Sequence, residues 1–380
     1  MTKIENLLKK HSPNGVEHVP MSSLFNLRKG ENITNEKAIP GIYPVVTASR
    51  GSNFTHEDFN FEGEFITISS HGAYAGHISY FNQKFWLGNN VYLLDSSDKS
   101  VSVRFYFHVL KSLAHVLIGT VNSGGIPYIN AKDLLRLPLP KPPIEVQLEI
   151  VSFLDKFTNL EAELQAELDA RNIQYEHYRH KLLDCEDIDS QELELGSFGR
   201  VLMCKRIMKD ETAASGEVPF FKIGTFGGAP DAFITYEKFE EFKSKFSFPR
   251  VGSLLISAAG TIGKIVQYDG EPSYFQDSNI VWLDHDESVV LNEYLFHCYK
   301  IAKWSTDTGS IPRLYNSNIL KLKIQVPSID EQKKIVDLLG KFEHLTNESS
   351  SGLPREIAAR RNQYEYFRNK LLTFKEREVA

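Results

Sequence analysis

Cysteine is scarce in this 380-residue chain, with Cys185, Cys204 and Cys298 the whole complement. Three scattered thiols cannot build a disulfide framework, and they fit a reducing compartment such as the cytoplasm. Long apolar runs are missing, so no segment reads as a membrane span. The stretch from Met1 to Lys10 is too short and too polar for a signal peptide. An excess of positive charge is missing as well: 43 Lys and Arg stand against 49 Asp and Glu, a net charge of −6. The deficit is local. Residues 142–188 hold 4 basic against 11 acidic side chains, whereas residues 1–141 hold 14 against 11. Binding to a polyanion would therefore need local patches or a basic partner.

What the chain does have is a repeat. The run Arg171 to Leu183 matches Arg360 to Leu372 at an offset of 189 residues, including Gln174-Tyr175-Glu176 against Gln363-Tyr364-Glu365. Upstream, Pro142 to Phe157 matches Pro327 to Phe342 at an offset of 185. The second copy thus carries about one extra helical turn, near Ser349-Ser350-Ser351-Gly352-Leu353-Pro354, where both helix breakers occur. Each repeat opens with a part rich in Phe, Tyr, Val, Ile, Gly and Ser. Short alternating runs such as Glu64 to Ser69 predict strands there, and 103–117 and 291–303 predict helical patches. Each repeat closes with apolar residues spaced three and four apart, the stripe of a helix pair. Pro143 and Ser328 sit at the expected helix starts.

The expected architecture is α+β: two mixed α/β domains separated by two long antiparallel helices forming a coiled coil, related by a pseudo-twofold repeat. The expected segments are 1–141, a helix in 142–188, 189–326, and a second helix in 327–380.

The pattern Pro–Pro–x–x–x–Gln–x–x–Ile–Val–x–x–Leu–Asp–Lys–Phe from Pro142, with the tract Gln363 to Phe374, resembles the conserved regions of specificity subunits of type I restriction–modification systems. The resemblance spans essentially the whole chain. It implies that each variable domain is a target-recognition domain for one half of a bipartite, asymmetric double-stranded DNA site. It implies that the helices set the gap and dock modification subunits, expected to be two. It further implies that restriction subunits join, that S-adenosylmethionine, ATP and Mg sit on those partners, and that this chain binds no cofactor and no metal and is not an enzyme. Three other readings stay open: a reader serving a fused methyltransferase–nuclease of type II-like design, a coiled-coil scaffold that binds no DNA, and an enzyme in its own right.

Motifs of catalysis fail on inspection. The only Pro-Pro, at Pro142, lacks the Asn/Asp and aromatic ends of an adenine methyltransferase clamp. Gly260 to Ile265 mimics a phosphate-binding loop but has Ala258 and Ile265 where Gly and a hydroxyl are needed. His177 and His180 lie on one helix face, but their repeat partners are Tyr366 and Asn369, so a metal site is not indicated.

Base reading needs polar groups on loops that reach a groove edge, and phosphate contacts need hydroxyls, amides and cations. The candidates in the first domain are Thr47, Ser49, Arg50, Ser69, Ser70, His71, Gly72, Tyr74, Asn89, Asn90, Asn122, Ser123, Gly124 and Tyr128. In the second they are Lys222, Ser257, Thr261, Lys264, Gln276, Asn279, Gly309, Ser310 and Arg313. On the helices, Leu160, Leu164, Leu168, Tyr175, Tyr178, Leu182, Leu345, Ile357, Tyr364, Phe367 and Leu371 are expected to bury between the rods or against partner helices.

Overall fold

The computed structural model describes residues 2–34, 36–49, 54–121, 125–306, 312–346 and 352–377. The chain divides into two compact units, Met1–Ala166 with Arg355–Ala380, and Glu167–Pro354. These units do not follow the four consecutive segments read from the sequence. The helix Ile144–Asp184 is unbroken over 41 residues, yet its first part belongs to one unit and its last part to the other.

In the first unit a six-stranded sheet has the order Asn26–Lys29, Val91–Asp95, Phe61–Ser69, Ile78–Leu87, Tyr43–Val46, Thr55–His56. All neighbours are antiparallel except Tyr43–Val46, which runs parallel to Ile78–Leu87 with Val45 opposite Trp86. Val91–Leu94 is buried on both sides, whereas Phe61–Ser69 keeps an alternation of apolar and polar residues with Glu62 and Glu64 exposed. Ile66 and Ile68 enter a core with Phe105, Tyr106 and Leu110. Phe61, Phe85, Leu87 and Leu93 form a second cluster. The expected helical patch at 103–117 appears as Val103–Ser112 followed by Ala114–Gly119, and Ser102 caps the former by accepting the Phe105 amide.

The second unit repeats this plan with a broken strand. Its four-stranded sheet has the order Gly199–Leu202, Ile280–His285, Leu254–Ser257, Ile265–Gln267. A three-stranded sheet places Val218–Phe221 between Phe233–Ile234 and Tyr274–Phe275. Val218–Phe221 is parallel to Tyr274–Phe275, as Tyr43–Val46 is to Ile78–Leu87. One ten-residue strand of the first unit thus corresponds to two short strands here. The Asp269–Gly270 turn, with Gly270 at φ +97°, lies between them.

The helices dock by one device used twice. Gln147 and Gln332 are fully buried. The Gln147 amide donates to the carbonyls of Ser100 (2.9 Å) and Pro142 (2.7 Å) and accepts the Ser102 amide (2.9 Å). Gln332 donates to Val289 (3.0 Å) and Pro327 (2.9 Å) and accepts the Leu291 amide (2.9 Å). Ser102 and Leu291 are the residues that begin the helices Val103–Ser112 and Asn292–Ile301. Each long rod is therefore pinned to its own domain through one amide side chain.

Within the first unit, Phe153 and Phe157 pack on Phe367 (ring centroids 5.4 and 5.5 Å), and Arg361 pairs with Glu161 (2.6 Å). Rising numbers on one helix meet falling numbers on the other, so the pair is antiparallel. In the second unit Tyr175 and Tyr178 stack on Phe342, and the Tyr175 hydroxyl donates to Glu343 (2.6 Å). The expected second rod is two helices, Ile329–Thr346 and Gly352–Leu372. Gly352 has φ +65°, and a Cβ there would lie 2.7 Å from the Leu345 carbonyl oxygen. That is a position only glycine fills without strain.

Candidate nucleic-acid interface

Short connections decide which loops meet. In the first unit Val46 pairs with Leu87 at the end of Ile78–Leu87, and residues 88–90 lead directly into Val91, which pairs with Ser69 at the end of Phe61–Ser69. Main-chain bonds tie the loops there: Gly88 amide to Val46 carbonyl, Ser70 amide to Asn90 carbonyl, and Ile129 amide to Ser70 carbonyl, each 2.9 Å. This gathers Thr47, Ser49, His71, Gly72, Tyr74, Asn89, Asn90 and Tyr128. His71 and Tyr128 pair as an isolated antiparallel bridge, and their rings stack 6.0 Å apart at 21°. Tyr74, Tyr128, Asn89 and Asn90 are exposed.

In the second unit the same positions converge. The Ala258 amide donates to the Asn279 carbonyl (2.7 Å) and the Leu314 amide to the Ala258 carbonyl (2.9 Å). Ala259 bridges Arg313 as His71 bridges Tyr128. Arg313 donates to the Asn279 side-chain oxygen (3.0 Å), and Arg206 donates to Asp277 (2.8 Å). Lys222 pairs with Asp231 (2.8 Å) close to the end of Val218–Phe221.

Several expected contacts are structural instead. Ser69, Ser70 and Ser257 are buried. The Ser70 hydroxyl bonds the His71 ring nitrogen (2.8 Å). The Ser257 hydroxyl accepts the Lys264 amide (2.8 Å) and donates to the Thr261 carbonyl, which closes the loop that mimics a phosphate-binding motif. Thr261 is exposed on that loop. Lys264 turns its ammonium onto the Phe226 carbonyl (2.6 Å). Gln276 accepts the Ile223 amide (2.9 Å) and so fixes a turn. Arg50, Asn122, Ser123, Gly124, Gly309 and Ser310 lie outside the described residues.

The helix candidates divide in the same way. Tyr175, Ile357, Tyr364 and Leu371 are buried, and Leu160, Leu164, Leu168, Leu182 and Phe367 are half-buried. Tyr178 and Leu345 are instead exposed, at 38% and 50%. Sequence reading missed Arg206, which carries no motif, and the buried group around His108. There His108 Nε2 donates to Asp155 (3.0 Å), which also holds Arg104 (2.9 Å), and the Tyr364 hydroxyl donates to His108 Nδ1 (2.8 Å). Burial pulls His108 below the usual imidazole value and the Asp155 contact only partly offsets it. Burial pushes Asp155 upward, but His108 and Arg104 outweigh it and hold the carboxyl below its usual range. The neutral imidazole therefore fixes the donor and acceptor roles given above.

The arrangement offers hydrogen-bonding and stacking groups on two loop edges. Among the described residues no group of three or more His, Cys, Asp or Glu could hold a metal ion, and no helix is long and apolar enough to cross a membrane.

The type I restriction modification DNA specificity domain matches the sequence twice, over residues 13–170 and 187–359. The chain belongs to this family. A putative type I restriction enzyme specificity subunit of Haemophilus influenzae is 42% identical over 382 aligned residues, covering 94% of this chain and 96% of the relative. A putative type I specificity subunit of Mycoplasma pneumoniae is 26% identical, covering 94% and 98%. The S subunit structure from M. genitalium superposes with a TM-score of 0.56 at 19% identity, covering 98% and 99%. A chain from a structure concerned with complex assembly in the type I R-M system gives 0.61 at 12% identity, covering 95% and 98%. The last two likenesses speak for the fold. The chain is a specificity subunit of a type I restriction–modification system, a component that assembles with other subunits and DNA.

Proposed function

We propose that each unit reads one half of a bipartite, asymmetric duplex target through the loop edge at the end of its sheet. The observation that carries this is the repetition of the edge itself. The same strand ends, tied by equivalent main-chain bonds, present His71, Asn90 and Tyr128 in one unit and Ala259, Asn279 and Arg313 in the other. The framework is kept and the presented chemistry changes, which is what two half-sites of different sequence require.

In this reading the helices set the distance between the halves. A 41-residue helix is about 60 Å long at ~1.5 Å per residue, and a site of about 14 base pairs is about 48 Å long at ~3.4 Å per pair. The apolar side chains left exposed on the helices, Leu148, Ile173, Leu338, Leu345 and Tyr366, suit docking by two modification subunits. Those subunits would bring S-adenosylmethionine and methylate adenine. Restriction subunits with ATP and Mg would complete the complex in the cytoplasm. The chain itself would bind no cofactor and catalyse nothing. Mapping methylated adenines in cells with and without this gene tests the reading: one bipartite motif should vanish on deletion. Persistence of every motif in the deletion strain would count against it.

A further inference from the structure

We infer that Arg313 reads a guanine in the half-target of the second unit, with Asn279 as its positioning residue and Arg206 as a phosphate contact. This rests on the reading of the chain as a DNA-binding subunit and deepens it.

The Asp277-Ser278-Asn279 loop is tightly held. Ser278 is one of two non-glycine residues with positive φ among those described, at 54°. The Asn279 amide bonds the Asp277 carbonyl (2.6 Å), and the Asn279 carbonyl accepts the Ala258 amide (2.7 Å). The Asn279 side chain is thus a fixed bracket, and it accepts from one Nη of Arg313 (3.0 Å). Arg313 is itself fixed in main chain by its bridge to Ala259, and its side chain is exposed. An open hollow of about 380 Å³ lies beside it, lined by Met203, Ala258, Ser278, Tyr315 and Asn316 among others. A guanidinium held this way presents a planar fork, and the major-groove edge of guanine, with O6 and N7 as paired acceptors, is the base edge that such a fork fits.

Arg206 stands on the same loop cluster. Its Nε is engaged by Asp277 at 2.8 Å, its side chain is 65% exposed, and its Nη groups bond nothing among the described residues. A cation so placed can position the duplex without reading sequence. The first unit shows the contrast. Asn90 occupies the place of Asn279, but Tyr128 replaces Arg313 and stacks on His71. The guanine dependence therefore belongs to one half-target alone.

The test uses the full chain assembled with its modification subunits and reads the methylated motif from plasmids carrying randomised sites. Arg313→Ala should lower discrimination at one guanine of one half-target by roughly 5- to 150-fold and leave the other half unchanged. Arg313→Gln should move the preference at that position toward adenine, a shift that a merely structural role does not produce. Asn279→Ala should widen the same position only. Arg206→Ala should weaken all sites alike and reduce the salt slope of binding by about 0.9. An unchanged motif in Arg313→Ala, or loss of all DNA binding in both Arg313→Ala and Arg313→Gln with the complex intact, overturns the inference. Absence of any motif dependent on the wild-type chain would instead strike at the DNA-reading role itself.

Discussion

Replacing Gln147 by Ala tests how the first domain is joined to its helix. The side chain is fully buried and makes three hydrogen bonds of 2.7 to 2.9 Å. Its loss leaves two carbonyls and one amide without partners, each costing about 1–3 kcal/mol when buried. Entry of water into the space left behind brings the sum to the lower end, about 3 kcal/mol. That is a large part of the ~5–15 kcal/mol that holds a domain together, and for a unit of this size it lowers Tm by roughly 6–12 °C. The amide released is that of Ser102, so hydrogen exchange should rise first across Val103–Ser112. Gln147→Glu does not rescue, because a carboxylate cannot donate to the Ser100 and Pro142 carbonyls. Gln332→Ala should give the same change in the second unit, with exchange rising across Asn292–Ile301. Calorimetry and hydrogen exchange on the purified chain read both effects. A Tm within 1 °C of wild type for Gln147→Ala would refute the pinning argument.

Three further outcomes are expected. His108 is held neutral by burial, so its folded-state pKa lies below the unfolded value of ~6.5, and the stability this contributes is present above that pH and lost as pH falls below it. Tm should therefore drop on going from pH 7.5 to 5.5, and less steeply in His108→Gln; an equal slope in the variant would contradict this. Tyr178→Asp places charge on an exposed ring that stacks on Phe342, and should release modification subunits at unchanged base preference; altered preference with an intact complex, read by size exclusion and methylation mapping, would contradict that role. Lys264→Ala removes an ammonium from the Phe226 carbonyl and should lower the stability of the second unit without altering the motif; a changed motif at wild-type Tm would restore Lys264 to the reading surface.

The repeat offsets of 189 and 185 made the architecture legible, because recurring apolar spacing and turn residues survive in sequence even where the domains diverge. The helix starts at Ile144 and Ile329 follow from Pro143 and Ser328 just before them. The chain positions of the candidate loops follow from their Gly/Ser-rich composition, but which of their side chains turn inward was not visible. Ser70 and Ser257 look like groove-facing hydroxyls in a Gly/Ser-rich loop, yet each is turned inward to a neighbour on its own loop. Lys264 looks like a free cation, but the carbonyls that take it up come from 37 and 38 residues earlier in the chain. Arg206 gave no signal, since the contact that holds it is made to Asp277, 71 residues away. The helix start at Gly352 was visible from the glycine and Pro354, while the division of the helix Ile144–Asp184 between two units was not, because periodicity says nothing about which partner covers each turn.

The most direct test of the account is to delete Ser349 to Gly352, the residues by which the second helical segment exceeds the first, and map adenine methylation by the assembled complex. The account predicts a motif with both half-targets unchanged and a shorter gap between them, or loss of binding where no shorter gap can be accommodated. The original motif, with its original gap, methylated at full affinity would contradict it.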